Sequence, residues 1–113
     1  MRFPVIIFIA AILQSCYKPG EIQIQNNVSN AKLTDIKWGD IYIESELIPG
    51  QTSSKIKNSK DEQKLPSSKK ISFIMAANQT SIYLETVGEY LLNEDDDVLF
   101  VIDNNTPVLN PNQ

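Results

Sequence analysis

Ala31-Lys32-Leu33-Thr34-Asp35-Ile36-Lys37-Trp38-Gly39-Asp40-Ile41-Tyr42-Ile43 decides the fold. Its apolar residues recur at every second position, the spacing of a strand with one face in a core. Ala31 and Leu33 share one parity while Ile36 and Trp38 take the other. A common inward face therefore needs one extra residue, and a β-bulge near Thr34-Asp35 supplies it. Gly39-Asp40 fits a two-residue hairpin loop, because glycine takes the leading position of a type II′ turn at no steric cost. Ile41-Tyr42-Ile43 then resumes the alternation.

The same period extends in both directions. Upstream, Glu21-Ile22-Gln23-Ile24-Gln25 places its isoleucines on one face and its polar side chains on the other, and Asn26-Asn27 is expected to end the strand. Downstream, Leu47-Ile48-Pro49-Gly50 sets fixed φ before positive φ, as a type II turn requires, and a strand over 51–57 should follow. Residues 58–70 are polar apart from Leu65 and Pro66, and read as a loop. Alternation returns in 71–75 and 81–85, a second hairpin turning at Asn78-Gln79. Gly88 precedes Tyr90-Leu91-Leu92, and Asn93-Glu94-Asp95-Asp96-Asp97 turns the chain into Val98-Leu99-Phe100-Val101-Ile102. That last run is apolar on both parities, the composition of a central strand covered on both faces. About seven or eight short strands without a helical pattern predict an all-β domain, a single antiparallel β-sandwich over 21–109 with a polar tail at 110–113.

The amino terminus is of another kind. Met1-Arg2 carries the positive charge, Phe3–Leu13 is apolar, and Leu13-Gln14-Ser15-Cys16 follows. At about 1.5 Å per residue the apolar run spans roughly half of a ~30 Å hydrocarbon core, too little for a transmembrane helix. It has the three-part pattern of a secretory signal over 1–15. Leu13, Gln14 and Ser15 resemble the lipobox read by lipoprotein signal peptidase, with Gln14 its less usual member. Cys16 is then the lipidation site, since only a thiol forms the thioether to diacylglycerol, and two or three acyl chains of the palmitate kind hold a protein firmly to a membrane. Residues 16–20 form the lipidated tether. Tyr17 stands where an inner-membrane retention signal would have Asp, so the expected address is the outer membrane, on either its periplasmic or its surface face. Cys16 is the only cysteine, which leaves the domain without a disulfide.

Two resemblances add to this reading. Gly88-Glu89-Tyr90-Leu91-Leu92 is similar to the Gly-x-Tyr-x-Cys stretch of immunoglobulin-like strand F. In that family the Tyr hydroxyl returns to the backbone and a core Trp lies earlier in the chain, a role that falls to Trp38. The chain as a whole resembles small uncharacterised lipoproteins of the Bacteroidetes. The likeness is carried by 24–31, Trp38-Gly39-Asp40, Leu47-Ile48-Pro49-Gly50-Gln51-Thr52-Ser53 and 95–103. It implies an immunoglobulin-like sandwich behind a lipobox and transfers no activity.

Composition then narrows the chemistry. The chain has no histidine, which removes the usual general base and the usual metal ligand. Its glycines are scattered, so no phosphate-binding loop is present. The formal charge is −4, and one unit more negative once Arg2 leaves, which argues against nucleic acid as a partner. Glu85, Glu89 and Glu94 are close enough in sequence to suggest a hydrolytic carboxylate pair, though a solvated strand edge explains them better. Asn93, Asp95 and Asp97 alternate like the first ligands of a calcium loop, but Val98 stands where that loop needs Gly and Asn104 where it needs Glu. Trp38 and Tyr42, with Tyr83 and Tyr90, could form an aromatic platform for a glycan or protein, or could fill the core. Lysines 55, 57, 60, 64, 69 and 70 are interrupted by Asp61 and Glu62 and read as a solvated stretch. The expected protein is a non-enzymatic, cofactor-free envelope lipoprotein, joined to the membrane through Cys16, that binds a protein or glycan partner. The alternative is a structural subunit that self-associates through an edge strand.

Overall fold

The computed structural model describes residues 19–58 and 65–112, and every regular element in them is a strand. In chain order these are β1 (Gly20–Asn27), β2 (Lys32–Trp38), β3 (Ile41–Leu47), β4 (Ile56–Asn58), β5 (Ser67–Lys69), β6 (Ile71–Ala77), β7 (Thr80–Thr86), β8 (Tyr90–Leu92), β9 (Asp97–Asp103) and β10 (Val108–Leu109). A five-stranded sheet runs β10-β7-β6-β2-β3, a three-stranded sheet β4-β1-β9, and a two-stranded ribbon joins β5 to β8. The domain is an all-β sandwich. Its core takes Ile22, Ile24 and Ile102 from the three-stranded sheet, Leu33, Ile36, Trp38, Ile43, Leu47, Ile71 and Phe73 from the five-stranded sheet, and Leu92 from the ribbon.

The turns follow the local chemistry of their residues. In β2 the register shifts against both β3 and β6 around Thr34–Lys37, and Asp35 adopts a φ of 50°. The bulge brings Leu33, Ile36 and Trp38 onto one buried face across their change of parity. Trp38 pairs with Ile41 across Gly39, whose φ is 61°. Ile48 to Gln51 closes a type II turn, with the Gln51 N–H donating to Ile48 O at 3.0 Å and Gly50 at φ 88°. Asn78 and Gln79 both take positive φ, 52° and 64°, between the paired Ala77 and Thr80, as a type I′ hairpin demands.

Four features depart from the sequence expectation. Ten strands form where seven or eight were expected, because β4, β5 and β10 are two or three residues long and are made by backbone pairing that leaves no hydrophobic period. One of them, Ser67-Ser68-Lys69, lies inside the stretch that reads as loop and pairs with β8. The strand expected over 51–57 is reduced to a bridge between Thr52 and Gln25, followed by β4. Ser53 explains the gap: the Ile24 N–H donates to Ser53 Oγ at 3.0 Å, so a side chain replaces a ladder carbonyl.

Third, β1 does not stop at Asn26. That side chain is fully buried; its Nδ2 donates to Ala31 O at 2.9 Å and Leu47 O at 2.8 Å, and its Oδ1 accepts from the Val28 N–H at 2.9 Å. An asparagine that normally ends a strand is kept inside this one because backbone groups of its neighbours satisfy it. Fourth, β9 is not central. Among the described residues it pairs with β1 alone, in parallel, and lies at the margin of the three-stranded sheet. The sandwich is thus not wholly antiparallel.

Candidate functional site

The lipobox residues Leu13, Gln14 and Ser15, and the lipidation site Cys16, lie outside the described residues. The aromatic platform is corrected. Trp38 is fully buried, its Nε1–H donating to Tyr90 O at 2.9 Å and Lys69 Nζ standing 5.8 Å from its ring centroid. A ring closed into the core presents no face to a glycan. Tyr42, opposite Lys37 on β3, is 50% exposed but has lost its companion. Tyr90 packs on Phe100 with ring centroids 4.9 Å apart. Burial first, and the charge of Asp103 second, hold the Tyr90 phenol above its ordinary value. Its carbonyl accepts the hydrogen bond that ties β8 to the core Trp, and among the described residues its hydroxyl makes no tyrosine-corner bond.

In the acidic turn, Asp97 of the three candidate ligands Asn93, Asp95 and Asp97 is engaged by another residue of the fold. Asp96 Oδ2 accepts the Asn93 N–H at 2.9 Å, and Asp95 takes the turn's positive φ of 62°. Asp97 Oδ2 receives Lys55 Nζ at 2.8 Å, with Glu21 3.9 Å from the same ammonium. The hydrogen bond to Asp97, ahead of its charge, keeps Lys55 protonated above the ordinary lysine range. Among the described residues no cluster of three or more carboxylates could hold a metal. Glu85 pairs with Lys70 at 3.9 Å in β7, while Glu89 and Glu94 sit exposed in separate turns. The lysines are dispersed likewise: Lys55 to Asp97, Lys70 to Glu85, Lys69 over the ring of Trp38. Lys60 and Lys64 fall outside the described residues. An open groove of about 640 Å³ lies between Asn30, Pro49 and the Asn78-Gln79 tip. Lys32 is its one charged lining residue, paired with Glu46 at 3.4 Å, so the groove offers no acid–base pair.

The feature that sequence reading missed is the free edge of β9. The Glu21 N–H donates to Asp96 O at 2.8 Å, which fixes the phase of the parallel ladder with Glu21 opposite Asp97. Val98, Phe100 and Ile102 therefore turn their amides and carbonyls toward β1, and Leu99 and Val101 turn theirs away. Among the described residues no strand receives them. The side chains of Leu99 and Val101 are also on the outer face, 48% and 36% exposed, while Val98, Phe100 and Ile102 point into the sandwich.

Folded proteins usually protect such an edge with charge, proline, a bulge or brevity. Most of the other edges here follow that practice. β3 carries Glu44 and Glu46, β4 and β5 are three residues each with a lysine, and β10 is two residues. β7 is covered by β10 at Glu85 and Thr86 and begins with polar Thr80-Ser81, though Ile82 and Tyr83 between them are exposed. β9 has none of these devices between Asp97 and Asp103. Those two aspartates were the signal available in the sequence, since charges bracketing an apolar run are typical of an exposed strand. No protein family, curated protein or solved structure matches the chain.

Proposed function

We propose that this protein is a non-catalytic binding module of the bacterial cell envelope, exported and held to the outer membrane by lipid on Cys16, that works by accepting an extended segment along the open edge of β9. The observation carrying this reading is the pair of residues, Leu99 and Val101, whose outward backbone groups have no strand partner among the described residues and whose apolar side chains are exposed. Strand addition of this kind takes its affinity from main-chain hydrogen bonds and its specificity from alternate side chains. The lipid brings the module to one surface, so a modest affinity suffices for a partner confined to the same membrane.

Two measurements test the two halves of the reading. Mass spectrometry of the native product is expected to find Cys16 as the first residue, carrying diacylglycerol; an intact Met1 or a free thiol refutes the address. A photo-crosslinking residue at position 99, introduced in intact cells, is expected to form an adduct that the same residue at position 82 does not. Equal labelling from both positions, or none from position 99, refutes the edge as the working surface.

A further inference from the structure

We infer, resting on that reading, that the segment taken up beside β9 finishes the sandwich core: it carries large aliphatic side chains at every second position and lays them over the inner face of β6 and β7. The two sheets are unequal, five strands facing three. Residues 48–55 lead from β3 into β4 and residues 104–107 lead from β9 into β10, so β4 closes the β3 flank and β9 is the strand nearest the β7 flank. Burial follows that mismatch. Leu33, Met75 and Ile82 stand directly opposite one another across β2, β6 and β7, hence on one face of the sheet. Leu33 is fully buried, Met75 half-buried and Ile82 38% exposed. The next row declines the same way, from buried Phe73 to half-buried Leu84.

The facing layer opens on the same flank. Ile22 and Ile24 of β1 are closed in, whereas Val98 and Phe100, their partners on β9, are half-buried although they point into the same interior. Among the described residues no strand lies beyond β9 to cover Met75, Ile82 and Leu84. A guest bonded to the outward groups of Leu99 and Val101 sets one of its residues beside Phe100, on the same side of the sheet, and the pleat sends the residues two before and two after it the same way. Those side chains face Met75, Ile82 and Leu84, while the ones beside Leu99 and Val101 face solvent. Each inward methylene removes apolar surface of two layers from water, whereas an outward side chain gains only the flank of Leu99 or Val101. Selection therefore rests on the inward positions, which call for bulky aliphatics two residues apart. β6 and β7 already occupy the layer beneath, so the guest is a single extended segment, a tail or linker without a second sheet of its own.

The test uses the processed lipoprotein in lipid nanodiscs, with empty nanodiscs as the blank, and two labelled peptides of equal composition, Thr-Ile-Thr-Ile-Thr-Ile-Thr and Thr-Ile-Ile-Thr-Thr-Ile-Thr. Only the first, extended, places all its isoleucines on one face. Binding is followed by anisotropy, and occupancy by hydrogen exchange at the Leu99 and Val101 amides. The alternating peptide is expected to bind about ten-fold more tightly than the other and to slow exchange at both amides. Ile82→Ser, in the opposite sheet from β9, should weaken that binding about ten-fold and Leu99→Ser by less than about three-fold, with Trp38 emission reporting that each variant is folded. The comparison of the two peptides on the parent decides the matter even where a variant does not fold. Equal binding of both peptides with amide protection, or a greater loss from Leu99→Ser than from Ile82→Ser, overturns the core-completion inference and leaves the edge reading standing. A parent dimer whose β9 amides are protected without peptide overturns it in favour of a second copy. If neither peptide alters exchange at those amides in the monomer, the edge itself is not the binding surface and the proposed function falls with it.

Discussion

Replacing Asn26 by alanine should remove a large part of the domain's stability, although Asn26 is a polar residue in the buried interior. Its side chain makes hydrogen bonds to Ala31 O, Leu47 O and the Val28 N–H, all in a fully buried setting. These tie the end of β1 to the start of β2 and the end of β3. Truncation leaves two carbonyls and one amide without a partner, and each buried orphan costs about 1–3 kcal/mol. A water molecule entering the vacated space recovers some of this, so a net loss of about 3–6 kcal/mol is expected. Domains of this size are stable by about 5–15 kcal/mol. With a urea m-value of about 2 kcal/mol/M, the midpoint should fall by roughly 1.5–3 M. The assay is the emission of Trp38, the only tryptophan and fully buried when folded, followed through urea titration. Asn26→Asp provides the sign check. It retains the acceptor for Val28 but aims an oxygen at two carbonyls, so it should be as damaging as alanine at neutral pH and partly rescued in acid, where the protonated carboxyl can donate. A midpoint shift below about 0.5 M for Asn26→Ala would refute the reasoning, since it would mean that these buried groups find other partners at little cost.

Three further outcomes follow from the same structure. Trp38→Phe should cost about 2–4 kcal/mol, from lost core volume and an unpaired Tyr90 carbonyl, measured by urea unfolding followed by circular dichroism; a loss below about 1 kcal/mol would contradict its core role. Gly50→Ala should cost about 1–2 kcal/mol through its φ of 88° alone, because no atom lies within 4 Å of an added Cβ, whereas Gly88→Ala, equally open and without positive φ, should be neutral or slightly stabilising. The Tyr90 phenol is raised above 10.0 by burial and then by Asp103, so the folded state favours its protonated form. That contribution is fully present below the unfolded value near pH 10 and is lost as pH rises through the folded one. Tyr90→Phe should therefore flatten the decline in stability above about pH 10, followed by urea unfolding across that range; an unchanged slope would refute the contribution.

What the sequence disclosed and what it concealed divide along physical lines. The bulge at Thr34-Asp35, the Gly39 loop, the Pro49-Gly50 turn and the Asn78-Gln79 hairpin are all decided by a residue's own φ preference or by local parity, and each is present. Burial of Trp38 was one of two open readings, and the core outcome depends on Tyr90, far along the chain, supplying a carbonyl. Asn26 misled because local propensity treats asparagine as a strand terminator, while its partners at Ala31 and Leu47 are set by tertiary structure. The strands β4, β5 and β10 were concealed for a similar reason, since backbone pairing leaves no mark on a short polar segment. At the candidate site, Asp97 was picked out for the wrong chemistry: alternation along the chain suggested a cation loop, and a lysine from a distant segment takes the carboxylate instead.

β9 presents the most instructive disagreement, because the sequence describes it as a central strand and the fold makes it an edge. Apolar residues on both parities are what a strand needs when side chains cover both its faces and backbone partners occupy both its sides. Among the described residues only β1 supplies a partner, and Leu99 and Val101 remain exposed. The composition and the position agree once a guest strand is added: β9 then has neighbours on both sides, and the guest's own side chains shield the outer aliphatics. The two ends are already occupied, Asp97 by Lys55 and Asp103 by Thr106, so the open part of the edge is its apolar centre. On the proposed reading, the apolar centre of β9 is written for the assembled state. That is why neither the pattern alone nor the isolated fold alone accounts for all seven of its residues.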